Sequence, residues 1–136
     1  MFNFFKKKIN PKPLFSFLRR QGNLAEDKAS KYLQKKGYKI IARNFACKLG
    51  EVDIIAKTKD DILVFIEVKQ RTNKDSFGGG LSAVNQAKQR RITLTSAMYI
   101  KKYKCLYSAL RFDIIVLTGE TLEHYENAFV PKNLTI

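Results

Sequence analysis

The stretch that decides the fold is GEVDIIAKTKDDILVFIEVKQR, residues 50–71. It holds two mainly apolar runs, 50–57 and 62–71, joined by a tight polar turn at 59–61, and this arrangement predicts a β-hairpin. The second run is apolar at odd and even positions alike, which is typical of a central strand covered by helices on both faces. We therefore predict an α/β domain with this hairpin near the middle of its sheet.

Three charged side chains interrupt the apolar strands of the hairpin: Asp53 in the first strand, and Glu67 and Lys69 near the end of the second. Such residues are almost never fully buried unless they are paired or bind metal. Side chains two apart on a strand share a face, so Glu67 and Lys69 point the same way. If the turn comprises residues 59–61, counting back along the strands places Asp53 opposite Glu67. A two-residue turn would shift the register by one and lose this alignment.

The opposed acids predict a metal site. Directly opposed side chains have β-carbons about 4.5–5.5 Å apart, so like charges repel there unless a cation lies between them. Mg²⁺ or Mn²⁺ suits Asp53 and Glu67, because Mg²⁺ takes one or two carboxylates and keeps positions for water and phosphate. Lys69 would stabilise charge on a phosphodiester or help the attacking water. Glu51, on the Asp53 face, is expected among the outer groups. A plain salt bridge from Lys69 to either opposed acid remains the alternative.

A helix precedes the hairpin, because apolar residues recur at helical spacing over 22–36 and Gly37 suits its end. Glu26 aligns with Ala29 and Leu33 along this helix, so it borders the packed stripe. We predict that Glu26 reaches the metal or its water.

The remaining elements complete the order αβββαββ. Strands are predicted at 38–46, 110–117 and 122–130, and a long helix at 82–103. The glycine-rich segment 77–80 does not match a P-loop and is interpreted as a flexible connection. The buried side of the long helix is predicted from its apolar residues, Ala83, Val84, Ala87, Ile92, Leu94, Ala97, Met98 and Ile100.

The charge balance points to nucleic acid. The chain has 26 Lys and Arg against 12 acids, a net charge of +14, which favours phosphate backbones first and anionic membrane surfaces second. Residues 1–21 hold six basic residues and no acid, and Pro11 and Pro13 disfavour a long helix there. We predict that they form a flexible extension to a domain at 22–136. That domain still carries +8.

Other classes are disfavoured. No apolar run approaches the roughly 20 residues that span a bilayer, and the first residues lack the apolar core of a signal peptide. We expect a cytoplasmic protein without membrane insertion. Cys47 and Cys105 are far apart and His124 is the single histidine, which argues against a zinc site or a disulfide framework. His124 is predicted to be structural.

Several blocks, spaced in one order, carry a family resemblance: GNLAE (22–26), GYKIIARNF (37–45), GEVDIIA (50–56), FIEVKQR (65–71), FGGGLSAVNQAKQRRI (77–92), RFD (111–113) and NAF (127–129). Together they resemble the YraN family, small bacterial proteins regarded as predicted endonucleases and distantly similar to archaeal Holliday junction resolvases. The resemblance implies a restriction-endonuclease-like three-layer fold, with a mixed central β-sheet flanked by helices, and a PD-(D/E)xK nuclease site.

The resemblance also assigns roles. It implies Asp53 as the motif aspartate, Glu67 as the second acid, Lys69 as the motif lysine and Glu26 as the helix glutamate. Asp53, Glu67 and Glu26 would hold the metal. Val52 stands where the name of the motif has proline, a departure that is common in this superfamily.

The partner expected is nucleic acid, DNA rather than RNA. Five polar side chains are expected to contact it: Arg71, Gln86, Lys88, Arg90 and Arg91. Resolvases cut two strands symmetrically as dimers, so the resemblance also implies a homodimer. Two alternatives remain open at this point: a non-catalytic nucleic-acid-binding protein that kept the fold, and a basic scaffold that binds an acidic protein.

Overall fold

A computed structural model of the protein describes residues 13–72 and 84–131, with side chains described from residue 23 onward. These residues form two helices and five strands: α1 (Pro13–Lys35), β1 (Lys39–Cys47), β2 (Gly50–Lys57), β3 (Ile62–Arg71), α2 (Gln86–Tyr103), β4 (Ala109–Thr118) and β5 (Thr121–Tyr125). The order αβββαββ is the predicted one. The glycine-rich segment 77–80 and Ala83 lie outside the described residues.

The five strands form one sheet in chain order, β1-β2-β3-β4-β5. Only β3 and β4 are parallel, and α2 makes the crossover between them, while the other neighbouring strands are antiparallel. The sheet is therefore mixed, as predicted, and β3 occupies its centre. Residues 63–67 of β3 are all buried, because each face of the sheet carries a helix.

The two faces of the sheet hold separate apolar cores. The core on the α2 side includes Val52, Ile55, Phe65, Val84, Ile92, Ile100, Phe112 and Ile114. The core on the α1 side includes Ala25, Ala29, Leu33, Ile54, Ala56, Val64, Ile66 and Ile115. The alternation of β3 between the two cores explains why its sequence is apolar at every position.

The hairpin has the register counted from its turn. Ile54 pairs with Ile66, and the turn between the strands comprises residues 59–61. One step further along the same register, Asp53 falls opposite Glu67. The prediction of a three-residue turn and of this alignment is confirmed.

Helix α1 begins at Pro13, well before the predicted start at residue 22. Proline is accepted in the first turn of a helix, because the N–H that it lacks has no partner there in any case. The expectation that Pro13 disfavours a helix was therefore wrong. The helix ends at Lys35, and Gly37 just beyond it has the left-handed φ, 91°, that was predicted there. The Gly37 N–H donates to the Gln34 carbonyl.

The buried side of helix α2 matches the predicted one only in part: Ile92 and Ile100 are buried, as predicted. Ala87, Leu94 and Met98 are exposed, whereas the polar residues Thr93 and Ser96 are buried. Each of these two hydroxyls donates a hydrogen bond, at 2.8 and 2.7 Å, to the backbone carbonyl one turn earlier. A hydroxyl satisfied in this way can face an apolar sheet, and an apolar periodicity does not reveal it.

Strand β5 is shorter than predicted, since it ends at Tyr125 rather than near residue 130. The chain turns at Asn127, where φ is 51°, and its backbone N–H donates to the Asp113 carboxylate at 2.9 Å. The strand ends here because the Asn127 N–H bonds to the Asp113 carboxylate instead of to a backbone carbonyl of the sheet.

Asp113 is the centre of a buried polar network on the α1 side. Arg111 donates two hydrogen bonds of 2.9 Å to its carboxylate, and His124 Nε2 lies 2.7 Å away. The other ring nitrogen of His124 lies 3.1 Å from the Tyr32 hydroxyl. Burial alone would raise the pKa of Asp113, but the donors from His124, Arg111 and the backbone bring it below its usual value. His124 is structural, as predicted.

Candidate active site

The site begins where the β2–β3 ladder ends. The last paired residues are Ile54 and Ile66. Immediately beyond them, the backbone N–H of Val68 donates a 2.8 Å hydrogen bond to Asp53 Oδ2. The half-buried Asp53 side chain thus accepts the hydrogen bond that a backbone carbonyl of β2 would accept if the strand pairing continued. Its carboxylate is held in a fixed position by the main chain of the neighbouring strand.

Two further acids approach Asp53. Glu26, buried on α1, and Glu51, exposed near the start of β2, each place a carboxylate oxygen within 4.8 Å of the other and of one Asp53 oxygen. Two oxygens bound to one Mg²⁺ lie at most about 4.2 Å apart, because each Mg–O distance is about 2.1 Å. Small side-chain movements would therefore let all three share one ion. The set contains oxygen ligands alone, which suits Mg²⁺ or Mn²⁺.

Glu67 meets the same aspartate from β3. Its charge lies close enough to Asp53 to raise the pKa of that carboxyl, and its Oε1 lies 2.5 Å from Lys88 Nζ. The Glu67 side chain is only 6% exposed. Asp53 is therefore the common member of two acidic contacts, one with Glu26 and Glu51 and the other with Glu67.

The crowding changes the acidity of Asp53. Burial and the neighbouring charge of Glu67 raise its pKa to about 8, with a smaller contribution from Glu26, against the lowering effect of the Val68 N–H. An acid in this position takes up a proton near neutral pH unless a cation compensates the charge. The site is thus short of positive charge as it stands.

Basic side chains border the cluster from different elements. Arg43 on β1 lies 3.5 Å from Glu26 Oε2 and 2.6 Å from Asp27 Oδ1. Lys88 comes from α2. Lys69 is half-buried and shares a strand face with Glu67. Among the residues whose side chains are described, 23–72 and 84–131, it makes no ion pair at 4.0 Å or less.

The side chains expected to contact nucleic acid fall into two groups. Gln86, Arg90 and Arg91 are exposed on the first half of α2, whereas Lys88 turns inward to Glu67 and Arg71 is half-buried at the end of β3. Arg91 lies against the β1–β2 turn, where a β-carbon on Gly50 would stand 3.2 Å from the Arg91 β-carbon. This close approach brings the basic half of α2 to the strand that carries Asp53.

Sequence reasoning missed Arg43 and underrated Glu51. Nothing in the spacing of Arg43 indicates that it reaches Glu26, because the contact depends on how α1 crosses β1. Glu51 was expected among the outer groups, but its carboxylate, like that of Glu26, lies within 4.8 Å of the Asp53 carboxylate. Its place two residues before Asp53 was the available signal.

The five-stranded mixed sheet with a helix on each face is consistent with a three-layer restriction-endonuclease-like fold. The model of one family, described as "Uncharacterised protein family UPF0102", matches residues 25–117. The chain belongs to this family, in accordance with the resemblance in its sequence blocks. The matched residues include Glu26, Asp53, Glu67, Lys69 and Lys88.

The family has relatives in several organisms. A UPF0102 protein of Sulfurihydrogenibium sp. is 39% identical over 110 residues, which cover 81% of this chain and 94% of the relative. A UPF0102 protein of Lachnoclostridium phytofermentans is 42% identical over 110 residues, 80% of this chain and 92% of the relative. The matches thus span nearly the whole of these relatives.

In the described part of the chain, no helix is both long enough and apolar enough to cross a membrane.

Proposed function

We propose that this protein is a metal-dependent endonuclease that hydrolyses phosphodiester bonds of DNA, with branched or flapped DNA as the preferred substrate. The observation that carries the proposal is the meeting of acids from three elements at Asp53: Glu26 of α1, Glu51 of β2 and Glu67 of β3. Four acids brought together beside basic side chains cost stability, and a divalent cation removes that cost. This arrangement is what a metal site requires.

Asp53, Glu26 and Glu67 would hold Mg²⁺ or Mn²⁺, with Glu51 as a further oxygen ligand. The metal would supply electrostatic stabilisation of the charge that develops on the phosphate and favour ionisation of the attacking water. Asp53 is positioned for this role by the Val68 N–H. Lys69, on the face of Glu67, would orient the scissile phosphate or the attacking water.

The basic surface of the protein would supply affinity for DNA. Gln86, Arg90 and Arg91 are exposed on α2, next to the strand that carries Asp53. Phosphate contacts of this kind give a linear fall of log K with log salt, with a slope of about 0.9 per contact on duplex DNA. Symmetric cleavage of a branched substrate needs two sites, so a homodimer in the cytoplasm belongs to the proposal.

A second candidate is a non-catalytic nucleic-acid-binding protein. The observation that favours it is the ion pair of Lys88 with Glu67, because a metal ligand that is already neutralised leaves less need for an ion. Under this candidate, the protein binds DNA and cuts none of the substrates.

The deciding experiment incubates the full chain with branched, flapped, linear duplex and single-stranded DNA, in Mg²⁺, in Mn²⁺ and in EDTA. The proposal expects metal-dependent cleavage that Glu67→Ala and Lys69→Ala abolish while DNA binding persists. The two variants, purified in parallel, also control for contaminating nuclease. Cutting by Lys69→Ala at the wild-type rate would reject the mechanism, and binding without cleavage by the wild type would favour the second candidate.

A further inference from the structure

The contact between Lys88 and Glu67 is a close ion pair at the candidate metal site. Lys88 Nζ lies 2.5 Å from Glu67 Oε1, and the side chains are 36% and 6% exposed. The two residues lie on α2 and β3, so the pair links one face of the sheet to the acids at its centre.

The backbone of Lys88 is held in place by the start of α2. The Asn85 side chain caps the helix by accepting a 2.9 Å hydrogen bond from the Lys88 N–H. The Gln89 side chain donates to the carbonyl of Val84 at 3.0 Å, and Val84 is itself buried. Because these contacts fix the start of the helix, the Lys88 side chain alone, and not a movement of the helix, brings the ammonium group to Glu67.

Charge explains why a lysine occupies this position. A buried carboxylate that loses its counter-ion is strongly destabilising, and Glu67 is nearly buried with Asp53 as an acidic neighbour. A divalent cation on these acids would supply the same compensation. Lys88 and the cation would then repel each other across Glu67, while the partly exposed lysine has solvent available on its other side.

We propose that Lys88 is a built-in counter-ion, which neutralises Glu67 in the metal-free protein and leaves it when a divalent cation binds. The released ammonium group becomes available to a DNA phosphate. Metal binding and phosphate binding are then positively coupled, because each favours the state in which Lys88 has left Glu67. This inference rests on the metal site of the proposed function.

The test is a calorimetric titration of the full chain with Mn²⁺, without DNA, so that the readout is metal affinity rather than activity. Lys88→Met keeps the length of the side chain and removes its charge. We expect this variant to bind Mn²⁺ about two- to fivefold more tightly than the wild type, the factor that corresponds to a partly exposed ion pair. Arg90→Met is the matched control, since it removes a charge from the same helix turn without touching Glu67, and it should leave the affinity within twofold.

The outcomes separate this inference from the proposed function. If the wild type and Lys88→Met both fail to bind Mn²⁺, the metal site and the inference fall together. If both bind with equal affinity, or Lys88→Met binds more weakly, Lys88 is not a competing counter-ion and the metal site stands. Lys88→Arg, which keeps the charge, should bind no more tightly than the wild type.

A measurement on the wild type covers the case in which Lys88→Met fails to fold. Lysine side-chain NMR observes the Lys88 ammonium group, whose hydrogens exchange slowly while it is held by a carboxylate. Added Mg²⁺ should shift or broaden this signal at the concentration at which it perturbs Glu67, and leave lysines remote from the site, such as Lys101 in the last turn of α2, unchanged. A Lys88 signal that stays constant at saturating Mg²⁺ would overturn the inference.

Discussion

Two aspartates lie inside apolar strands of this sheet, and their surroundings are opposite. Asp113 on β4 receives hydrogen bonds from Arg111, His124 and the backbone of Asn127. Asp53 on β2 receives one hydrogen bond, from the Val68 N–H, and its other near neighbours are acids. The pKa of Asp113 is accordingly lowered, while that of Asp53 is raised to about 8.

The difference shows why Asp53, and not Asp113, is the candidate for a functional acid. The Asp113 carboxylate is saturated with donors and has no capacity left for a ligand. Asp53 has one hydrogen-bond donor and acidic neighbours, which are the surroundings expected of a ligand in the proposed metal site. A buried acid alone says little, whereas the balance of donors and acids around it distinguishes the two roles.

The largest effect is expected from removing the saturated acid. Asp113→Ala leaves the Arg111 guanidinium, 16% exposed, without its main partner. Breaking a buried pair in this way costs about 3–5 kcal/mol of unfolding free energy. Urea denaturation measures it. Glu126→Gln, which alters an exposed acid 3.9 Å from Arg111, is the control and should cost less than about 1 kcal/mol. An equal loss of unfolding free energy in both variants would show that Asp113 contributes no more to stability than an exposed acid does.

The pH dependence of stability should separate the two aspartates. The folded pKa of Asp53, about 8, exceeds the ordinary aspartate pKa of 3.8. Its stabilising contribution is therefore complete below about pH 4 and is lost as pH rises towards 8. Asp113 has a lowered folded pKa, so its contribution is constant over this window and is lost only in acid.

In EDTA, the wild type should therefore lose on the order of 3–4 kcal/mol between pH 5 and pH 8.5 through Asp53, at about 1.4 kcal/mol for each pH unit over which only the folded protein keeps the proton. Asp53→Asn should flatten that decline and be the more stable protein at pH 8.5, since the amide cannot ionise. Urea midpoints at the two pH values give the slope. A slope that is equal in wild type and variant would show that Asp53 is not the group that titrates.

Metal binding should raise the stability of the protein through Asp53 and not through Asp113. At a Mg²⁺ concentration tenfold above Kd, mass action raises the unfolding free energy by about 1.4 kcal/mol, which a thermal melt detects as a rise in Tm. Asp53→Asn should abolish this increment. A variant of the other network, Tyr32→Phe, should keep it, because it removes only the hydroxyl next to His124. Loss of the increment in Tyr32→Phe would indicate that the two regions are coupled.

The smallest effect on folding is expected at Lys69. It makes no ion pair within the described parts of the chain, so Lys69→Ala should change the unfolding free energy by no more than about 0.5 kcal/mol. Cleavage, where the wild type shows it, should be lost. A destabilisation above 1 kcal/mol would instead support the plain salt-bridge alternative for this lysine.

Much of the site was predictable because it depends on local patterns. The turn at 59–61 fixed the register of the hairpin, and the register placed Asp53 opposite Glu67. Helical spacing placed Glu26 beside Ala29 on the packed side of α1. These inferences needed only strand and helix periodicity, which neighbouring residues along the chain determine.

The packed side of α2 could be predicted only in part, at Ile92 and Ile100. Leu94 and Met98 are exposed, while Thr93 and Ser96 are buried and satisfied by carbonyls of their own helix. Periodicity counts a hydroxyl as polar whether or not it is hydrogen-bonded. Only the packed structure reveals which polar groups have found a partner.

The sequence by itself determined the order of the elements, the buried central strand and the acids opposed across the hairpin. Only the tertiary structure decided which basic side chains pair with the acids of the site. Lys88 pairs with Glu67, and Arg43 pairs with Glu26. The physical reason is the distance along the chain over which each effect acts. Periodicity acts between residues a few positions apart, whereas these ion pairs depend on how closely a helix docks on the sheet, as where α2 passes against Gly50.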